Sequence, residues 1–399
     1  MVTPWSDRAD LRGVGAECSQ GSFGTHSKVS EVGEYFTFEP AKGVPIHDWF
    51  YYKEAYSPQL VGWALKELGV ERGTVFDPFC GIGTTMLYAK ENGMGGIGID
   101  VSPLALFVTK TKCADYSEKD AEEAEAELKG LFSERRKAGW NWDFELFHPS
   151  RFFGKRNYND ICFLRERVES MENEKVGGLF LLALLSILPQ TGFFIKDGGV
   201  LREQPKKSAM PVKDAFKRKV KGMVADLRER KAVGGKEPEL MLRDAREFSE
   251  AKADVFITSP PYLNNIDYSK VYGLELSLLT MQKESTKTMR GREVRSFITG
   301  ESFGACPLEA EEYSDIPIAG TYFADMEKVL VNLKKISPRG CMVVGNAVLG
   351  GKHIPVDEIL IEMGKRIGFG DGRIGAVKER IADVRPQKLR TRESAVFFS

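Results

Sequence analysis

The sequence predicts an α/β protein with a parallel sheet and a helical insertion. Short apolar runs alternate with segments of helical periodicity in two parts of the chain, a pattern typical of parallel sheets covered by helices. Between about residues 115 and 236 this alternation stops, and mostly helical patterns follow one another. The 399 residues therefore predict one interrupted α/β domain and not two independent domains.

In the first part, residues 57–70 have apolar side chains at helical spacing, and Pro58 suits a first helical turn. The apolar run 74–78 is predicted to be a buried strand that ends at Pro78. A glycine-containing loop and a helix follow, with Gly93 as a plausible C-cap. A second strand, "GGIGID", and a second helix, "SPLALFVTKTK", continue the alternation.

The insertion contains a charged amphipathic helix, an apolar helix at 176–187 and a strongly basic helix. After Gly234 and Gly235 the alternation resumes, with predicted elements that we give in chain order. They are the strands "ELMLRDA" and "ADVFITSPPY", helices at 268–279 and 322–336, the strand "GCMVVGNAVL", a helix at 356–367 and the strand "ESAVFFS".

Composition permits a large core, since 42% of the residues are hydrophobic. Lys+Arg and Asp+Glu both number 57, so any nucleic-acid surface must come from local segregation of charge. The six cysteines form no CxxC pair and do not cluster with the four histidines, so we expect neither a zinc site nor a disulfide framework. This cysteine usage indicates a reducing, cytoplasmic compartment.

Residues 1–33 lack periodicity and predict a flexible arm. Asp7, Arg8 and Asp10 interrupt this arm, so no signal peptide is expected. The most apolar stretch, 176–187, is too short to span a bilayer, and we expect a buried helix there.

A glycine loop, "DPFCGIGTT", follows the first predicted strand. Gly81 and Gly83 allow a tight turn and the close approach of a ligand. The third glycine of a dinucleotide fingerprint is absent, and no P-loop lysine follows, so this loop alone is a weak signal.

Three carboxylates at predicted strand ends surround this loop. Asp100 is placed to accept both hydroxyls of a ribose. Asp77 is placed to accept from a cationic amine, directly or through water, and Asp244 to accept from an adenine amino group. Together they fit a neutral or cationic nucleoside better than a pyrophosphate, and S-adenosylmethionine is such a ligand. The remaining candidate cofactor contacts are the neighbouring residues Phe79, Cys80, Thr84, Val101 and Ala245.

These segments resemble the S-adenosylmethionine-dependent amino-methyltransferases of nucleic acids. "DPFCGIGTT" is similar to their cofactor loop and "TSPPY" to their catalytic loop, and "TSPPYLNNIDYSKVYGLEL", "HDWFYYKEAYSPQLV" and "RTRESAVFF" are similar to a group of site-specific DNA methylases. The resemblance covers about 45–115 and 237–399. It implies a Rossmann-like class I fold, a seven-stranded sheet with an antiparallel last strand, and a restriction–modification setting.

The resemblance also divides the chain. It implies a cofactor-binding half at 34–114 and a catalytic half at 237–399, the order of the unpermuted members. The insertion, 115–236, becomes a candidate region for target recognition.

The catalytic loop explains why a strand should end in Ser259, Pro260, Pro261 and Tyr262. A base amine is a poor nucleophile because its lone pair is delocalised into the ring, and the Ser259 hydroxyl and Pro260 carbonyl can accept its hydrogen bonds. The prolines stiffen the loop, and Tyr262 can stack on a base that has left the duplex. Serine in the first position resembles the cytosine-N4 members and favours cytosine over adenine.

Residues on either side of the two loops are further candidates. Asn264, Asn265, Asp267 and Tyr268 are expected to line the base pocket, or alternatively to cap the next helix. Upstream, the segment containing Lys53, Tyr56 and Ser57 would close over the methionine end of the cofactor, or alternatively serve only as aromatic packing.

The insertion carries a basic segment. From 202 to 231 there are 11 Lys/Arg against 4 Asp/Glu, which favours contact with phosphates, or alternatively a solvated helix face. Lys217, Arg218 and Lys221 are the candidate nucleic-acid contacts. A second basic cluster consists of Lys388, Arg390 and Arg392, and can act on the nucleic-acid backbone or be structural.

The first interpretation is thus a DNA cytosine-N4 methyltransferase. An RNA cytidine-N4 methyltransferase, acting for instance on the ribosome, is the alternative, and DNA is favoured because no dedicated RNA-binding motif is visible. A silent binding module that kept the fold is disfavoured by the intact "SPPY" and Asp100. A nucleotide-dependent oxidoreductase is disfavoured by the missing third glycine.

Overall fold

A seven-stranded sheet with helices on both faces forms the centre of the protein. The computed structural model describes residues 31–132, 139–197, 200–205, 207–229, 235–264, 266–281, 286–296, 305–384 and 387–399. The arm predicted at 1–33 lies outside the described residues except for its last three positions, which begin a 3₁₀ helix at Glu31–Phe36.

The strands are numbered in chain order. They are β1 Thr74–Asp77, β2 Gly95–Asp100, β3 Phe194–Asp197, β4 Val200–Glu203, β5 Glu239–Leu242, β6 Val255–Thr258, β7 Gly340–Gly345, β8 Ala347–Leu349, β9 Lys352–Ile354, β10 Gly372–Val384 and β11 Gln387–Phe398. Seven of them form the central sheet in the order β10-β11-β7-β6-β1-β2-β5, and β3-β4 and β8-β9 are separate two-stranded sheets. Within the central sheet only β11 runs against the others. The predicted seven-stranded sheet with an antiparallel last strand is confirmed.

The helices are likewise numbered in chain order. They are α1 Pro58–Glu67, α2 Thr84–Glu91, α3 Pro103–Cys113, α4 Glu118–Gly130, α5 Lys155–Glu169, α6 Glu174–Thr191, α7 Val212–Glu229, α8 Tyr268–Val271, α9 Gly273–Thr280, α10 Thr286–Arg292, α11 Pro317–Ile336 and α12 Val356–Ile367. Within the part of the chain that the structure describes, no helix is both long enough and apolar enough to cross a bilayer.

Alternate side chains of each central strand enter two different cores, because successive strand residues point to opposite faces of a sheet. Phe256 packs with α11 and α12 on one face. Val255 and Ile257 pack with α1 on the other. Both faces are therefore covered, and the strands read as continuous apolar runs for that reason.

Several predicted boundaries were wrong, including the start of the last strand, which lies at Gln387 and not at Glu393. The strand read through "GCMVVGNAVL" stops at Gly345, and the residues from 347 onward pair with β9 instead. The single helix predicted at 268–279 is broken at Tyr272 into α8 and α9, and α11 begins at Pro317, five residues before the predicted start. The edge strand β10 was not predicted.

The insertion is not packed as a separate body. Its helices α4 to α7 share one core with α2 and α3, in which Leu179 and Val220 are buried together with Met86 and Val108. The insertion therefore rests on the helices that follow the glycine loop. Its assignment to target recognition stays a prediction.

Candidate active site

The predicted cofactor and catalytic residues surround one cavity of about 280 Å³, which lies where β1, β2, β5 and β6 end. In open α/β sheets, ligands bind outside the carboxyl ends of the strands. The predicted residues that line it are Lys53, Tyr56, Phe79, Cys80, Gly81, Thr84, Asp100, Val101, Asp244, Ala245, Ser259, Pro260, Pro261, Tyr262, Asn264 and Tyr268. Those that do not line it are Ser57, Asp77, Gly83, Asp267, Lys217, Arg218 and Lys221.

The glycine loop is held in place by helix α3 and by the end of strand β2. Gly83 has φ +80°, and a Cβ there would lie 2.6 Å from Thr109, so only glycine fits. The Thr109 hydroxyl donates to the Gly81 carbonyl at 2.9 Å, and the Gly81 N–H donates to Asp100 Oδ2 at 2.9 Å. The loop and Asp100 therefore form one preformed cradle at the cavity wall.

Asp100 keeps acceptor capacity toward the cavity. The Gly81 N–H donates to Oδ2 and the Ser102 N–H donates to Oδ1 at 2.8 Å, and the Val101 N–H also acts on this carboxylate. The side chain is nevertheless part of the cavity wall. Burial raises the pKa of Asp100 to about 6, and the backbone hydrogen bonds oppose that rise. Above this pH the two oxygens match the two hydroxyls of a ribose, so the cradle fits the nucleoside part of S-adenosylmethionine.

Asp77 does not line the cavity, so the direct form of its predicted contact with a cationic amine is wrong. Its carboxylate is buried behind the loop, where it accepts hydrogen bonds from the Tyr56 hydroxyl at 2.9 Å, the Thr258 hydroxyl at 2.6 Å and the Phe79 N–H at 3.1 Å. Burial raises its pKa to about 6. Direct contact with a ligand amine does not fit this geometry. Asp77 instead joins the upstream segment, the cofactor loop and the catalytic strand.

Asp244 lines the cavity but is not a free acceptor. The Arg246 guanidinium binds its carboxylate with Nη2–Oδ2 at 2.6 Å and Nε–Oδ1 at 3.0 Å, and also donates to Asp325 at 3.0 Å. A ligand amino group would have to share these oxygens with Arg246. The predicted contact between Asp244 and an adenine amine is therefore weaker in this arrangement than the sequence suggested.

The Ser259 hydroxyl is anchored to strand β7 at the cavity wall. It donates to the carbonyl of Val343 in β7 at 3.1 Å, while the side chain remains part of the cavity wall. Because the hydroxyl proton is donated to β7, the Ser259 oxygen can take part in a further hydrogen bond only as an acceptor, through its lone pairs.

Tyr262 lies against a bare stretch of backbone. A Cβ built on Gly345 would lie 2.7 Å from the Tyr262 ring, so the absence of a side chain at the end of β7 makes room for this ring. The Arg380 guanidinium is 6.0 Å from the ring centre and is paired with Glu393 at 3.0 Å. The ring is thus supported on one side by β7 and approached by a cation from β10.

Gly345→Ala is expected to displace Tyr262 and to lower kcat/KM by about tenfold, because a 2.7 Å contact forces the ring to move. The affinity for S-adenosylmethionine should change less than twofold, as measured by calorimetry. The control is Gly340→Ala, at the other end of β7, where the added methyl group would collide with Phe256. It shows how much activity is lost when β7 is strained without contact to Tyr262. Equal losses in both variants would contradict a specific effect on Tyr262.

Downstream of the catalytic loop, some of the predicted residues line the cavity and another caps the next helix. Asp267 caps α8, accepting the Lys270 N–H at 3.2 Å, and pairs with Arg290 at 2.9 Å. Asn264 and Tyr268 line the cavity, and the Asn264 Oδ1 atom is buried without a hydrogen-bond partner. Asn265 lies outside the described residues.

The upstream segment contributes more aromatic surface than predicted. Lys53 and Tyr56 line the cavity, but Ser57 is buried and donates to the Tyr35 carbonyl at 3.2 Å. Tyr52 also lines the cavity, and its ring stacks on Tyr272 with centres 4.3 Å apart. The aromatic spacing of this segment was the signal that could have identified Tyr52.

Tyr272 is fixed from two further sides, and it too was missed. Its hydroxyl donates to Glu54 at 2.6 Å. The ammonium group of Lys196, in β3 of the insertion, lies 3.7 Å from the centre of its ring. The insertion therefore touches the aromatic wall of the cavity through β3 and not through the predicted basic helix.

The basic helix α7 uses much of its charge internally. Arg228 pairs with Glu118 at 2.9 Å and Glu125 at 2.7 Å, and Lys219 donates to the Asp48 carbonyl at 3.0 Å. Two of the three predicted nucleic-acid contacts have partners within the protein. The Lys217 ammonium lies 5.3 Å from the Phe132 ring centre, and Arg218 donates to Gln190 at 2.9 Å. The third, Lys221, is exposed. A phosphate-binding role for these three residues stays a prediction.

The residues of the second basic cluster differ in their surroundings. Arg392 pairs with Asp357 and Glu358, each at 2.8 Å, and is structural. Arg390 is 87% exposed. The side chain of Lys388 lies outside the described residues. Within the described ranges, no group of three or more His, Cys, Asp or Glu side chains is arranged to hold a metal ion.

Comparison with known proteins identifies relatives over most of the chain. Type II methyltransferase M.BsoBI from Geobacillus stearothermophilus is 27% identical over 423 residues, covering 86% of this chain and 82% of that protein. Type II methyltransferase M.AvaI from a Nostoc species is 25% identical over 411 residues, covering 85% and 82%. The predicted family resemblance is confirmed, and these relatives imply S-adenosylmethionine as the cofactor.

The other comparisons add little. No family model matches the chain. The solved structure of the rRNA methyltransferase AviRa from Streptomyces viridochromogenes covers 92% of this chain and 93% of its own, at 12% identity and a TM-score of 0.29. A likeness this weak carries no argument about the chain.

Proposed function

We propose that this relative of the type II methyltransferases transfers a methyl group from S-adenosylmethionine to the exocyclic amine of a base in DNA, with cytosine N4 as the acceptor. The observation that carries the proposal is the meeting of two loops in one cavity. The Gly81–Asp100 cradle and the Ser259–Tyr262 loop line the same space of about 280 Å³. A methyl donor and an acceptor base can therefore be held side by side.

The chain's own residues would position the acceptor. The Ser259 oxygen and the Pro260 carbonyl each accept a hydrogen bond from the base amine. These two hydrogen bonds direct the nitrogen lone pair toward the methyl donor. The cofactor supplies a methyl group on a positively charged sulfur. When the nitrogen–carbon bond forms, the carbon–sulfur bond breaks and its electron pair stays on sulfur, and the nitrogen then loses one proton to water. No covalent intermediate with the protein is required.

The base must leave its duplex to enter. Ser259 is only partly exposed and Pro260 is buried, so a stacked base cannot reach them. Tyr262, supported by Gly345, offers a flat surface for the extruded ring, and the unpartnered Asn264 Oδ1 atom offers an acceptor for an amine or a ring N–H.

DNA is favoured as the substrate because the relatives over most of the chain are type II methyltransferases. Cytosine is favoured because serine occupies the first position of "SPPY", as in the cytosine-N4 members that the sequence resembles. RNA cytidine is the alternative, and nothing in the cavity requires it.

The test is methyl transfer from labelled S-adenosylmethionine to duplex DNA and, in parallel, to ribosomal RNA, followed by nucleoside mass spectrometry. N4-methyldeoxycytidine is the expected product. N6-methyldeoxyadenosine would keep the enzyme class and reverse the base. Label confined to RNA cytidine would transfer the proposal to RNA, and cofactor binding without any transfer to either nucleic acid would overturn it.

A further inference from the structure

Five acidic side chains line the cavity: Glu54, Asp100, Asp244, Glu293 and Glu393. The structure gives four of them hydrogen-bond partners. Glu54 accepts from the Tyr272 hydroxyl, Asp100 from two backbone N–H groups, Asp244 from Arg246 and Glu393 from Arg380. Among these five acidic side chains, Glu293 is the one with a buried oxygen, Oε2, that has no hydrogen-bond partner in the described part of the chain.

Glu293 follows the last residue of α10 and is only 7% exposed. Its Oε2 atom is buried and has no hydrogen-bond partner. A buried polar atom without a partner costs free energy, and such an atom in a cavity wall is satisfied when a ligand supplies a donor or a positive charge. No sequence pattern singled out this residue, and neither of the two loops includes it.

The surroundings of Glu293 are acidic and aromatic. Asp267 and Asp100 are the carboxylates that act on it, and Arg290 is the cation that opposes them. Two further cationic side chains, Lys53 and Arg292, line the same cavity. The hydroxyls of Tyr52 and Tyr268 are close enough to respond to the charge of Glu293. Burial, reinforced by the two carboxylates and opposed by Arg290, raises the pKa of Glu293 to about 8.

We propose that Glu293 is a further cofactor-binding residue, whose carboxylate faces the positive charge of S-adenosylmethionine and distinguishes it from the uncharged sulfide that remains after methyl transfer. The cofactor is the cationic ligand of the proposed reaction, whereas DNA is anionic and the target base is neutral. The proximity of Glu293 to Asp100 puts it beside the nucleoside cradle. The inference deepens the proposed function but rests on its cofactor alone, not on its nucleic acid.

This arrangement couples cofactor binding to a proton. Near neutral pH the empty cavity holds Glu293 mostly as the neutral acid, and an adjacent cation favours the carboxylate. Binding of S-adenosylmethionine should therefore release a proton and strengthen as the pH rises from 7 to 9. Asp100, with a pKa of about 6, titrates below this window.

The experiment measures affinity by calorimetry at pH 8.5, for S-adenosylmethionine and for S-adenosylhomocysteine. Glu293→Gln, which keeps the shape but cannot become negative, is expected to weaken S-adenosylmethionine about tenfold and to change S-adenosylhomocysteine less than twofold. Glu247→Gln removes an exposed carboxylate outside the cavity lining and should change neither affinity.

A second measurement uses the unmodified protein and does not depend on how the variant folds. Titrations at pH 6.5 in buffers of different ionisation enthalpy should report proton release with S-adenosylmethionine in excess of that with S-adenosylhomocysteine. At this pH the α-ammonium groups of both ligands are protonated, and any proton exchanged by Asp100 at the ribose is common to both. Equal proton release for the two ligands, or equal changes in their affinities on Glu293→Gln, overturns the inference. Failure to methylate DNA would instead overturn the proposed function and leave these binding results unaffected.

Discussion

Ser259→Ala is expected to lower kcat by about 100-fold or more while leaving the affinity for S-adenosylmethionine within about twofold. In the proposed reaction the side-chain oxygen accepts a hydrogen bond from the base amine, while its own proton is donated to the Val343 carbonyl at 3.1 Å. Alanine removes that acceptor but leaves the Gly81–Asp100 cradle intact. Single-turnover transfer with labelled cofactor, alongside calorimetry, separates the two quantities.

Ser337→Ala is the matched control for this substitution. Its hydroxyl also donates to a backbone carbonyl, that of Arg339 at 2.9 Å, but near the opposite end of β7. The control should lose some stability and keep its turnover. If Ser259→Ala retained full turnover, the hydroxyl would be excluded from the reaction.

Asp100→Ala is expected to weaken S-adenosylmethionine binding by about 100-fold or more. Two losses combine, since the ribose hydroxyls lose their acceptors and the N–H groups of Gly81 and Ser102 lose theirs. The same carboxylate predicts a pH dependence. Its pKa of about 6 means that affinity should fall as the pH drops through 6, and this fall should be absent in Asp100→Ala.

Asp254→Ala provides the comparison for Asp100. The Asp254 carboxylate accepts the Thr74 N–H at 2.7 Å at the beginning of β1, opposite the cavity. That variant should keep cofactor affinity. Unchanged affinity in Asp100→Ala, measured by calorimetry on a variant with a normal thermal transition, would contradict the ribose assignment.

Local patterns were sufficient to predict which residues would lie together at the ends of the strands. Asp100 ends β2, Gly81 lies in the loop after β1 and Ser259 follows β6, and a parallel sheet brings such strand ends to one edge. The cavity was predictable for the same reason, because it requires only the order of strands and loops along the chain.

The roles of two other carboxylates depended on partners that the sequence does not reveal. Asp77 is saturated by Tyr56 and by Thr258, which is 181 residues away. Asp244 is held by Arg246, only two residues away, and this spacing was a usable signal. A strand-end aspartate alone therefore predicts a place in the site but not which atoms it will bind.

Glu293 and β10 were missed for different reasons. Glu293 lies in a short polar segment without apolar periodicity, and its importance comes only from burial against residues far along the chain. The edge strand β10 carries charged residues such as Lys378 and Arg380, because one of its sides has no neighbouring strand in the sheet. Edge strands lack the continuous apolar signal of central ones.

The hydrogen bond between Asp77 and Thr258 has a consequence for how the protein is made. Strand β1 lies between β2 and β6, and its partner residue on the β6 side is synthesised 181 residues later. At about 5–20 residues per second, the ribosome leaves that edge of β1 unpaired for about 10 to 40 s. The nucleoside cradle can assemble early on the nascent chain, but the acceptor loop cannot. During translation the chain would thus pass through a stage that has a binding cradle and no catalytic activity, with one strand edge open to mispairing.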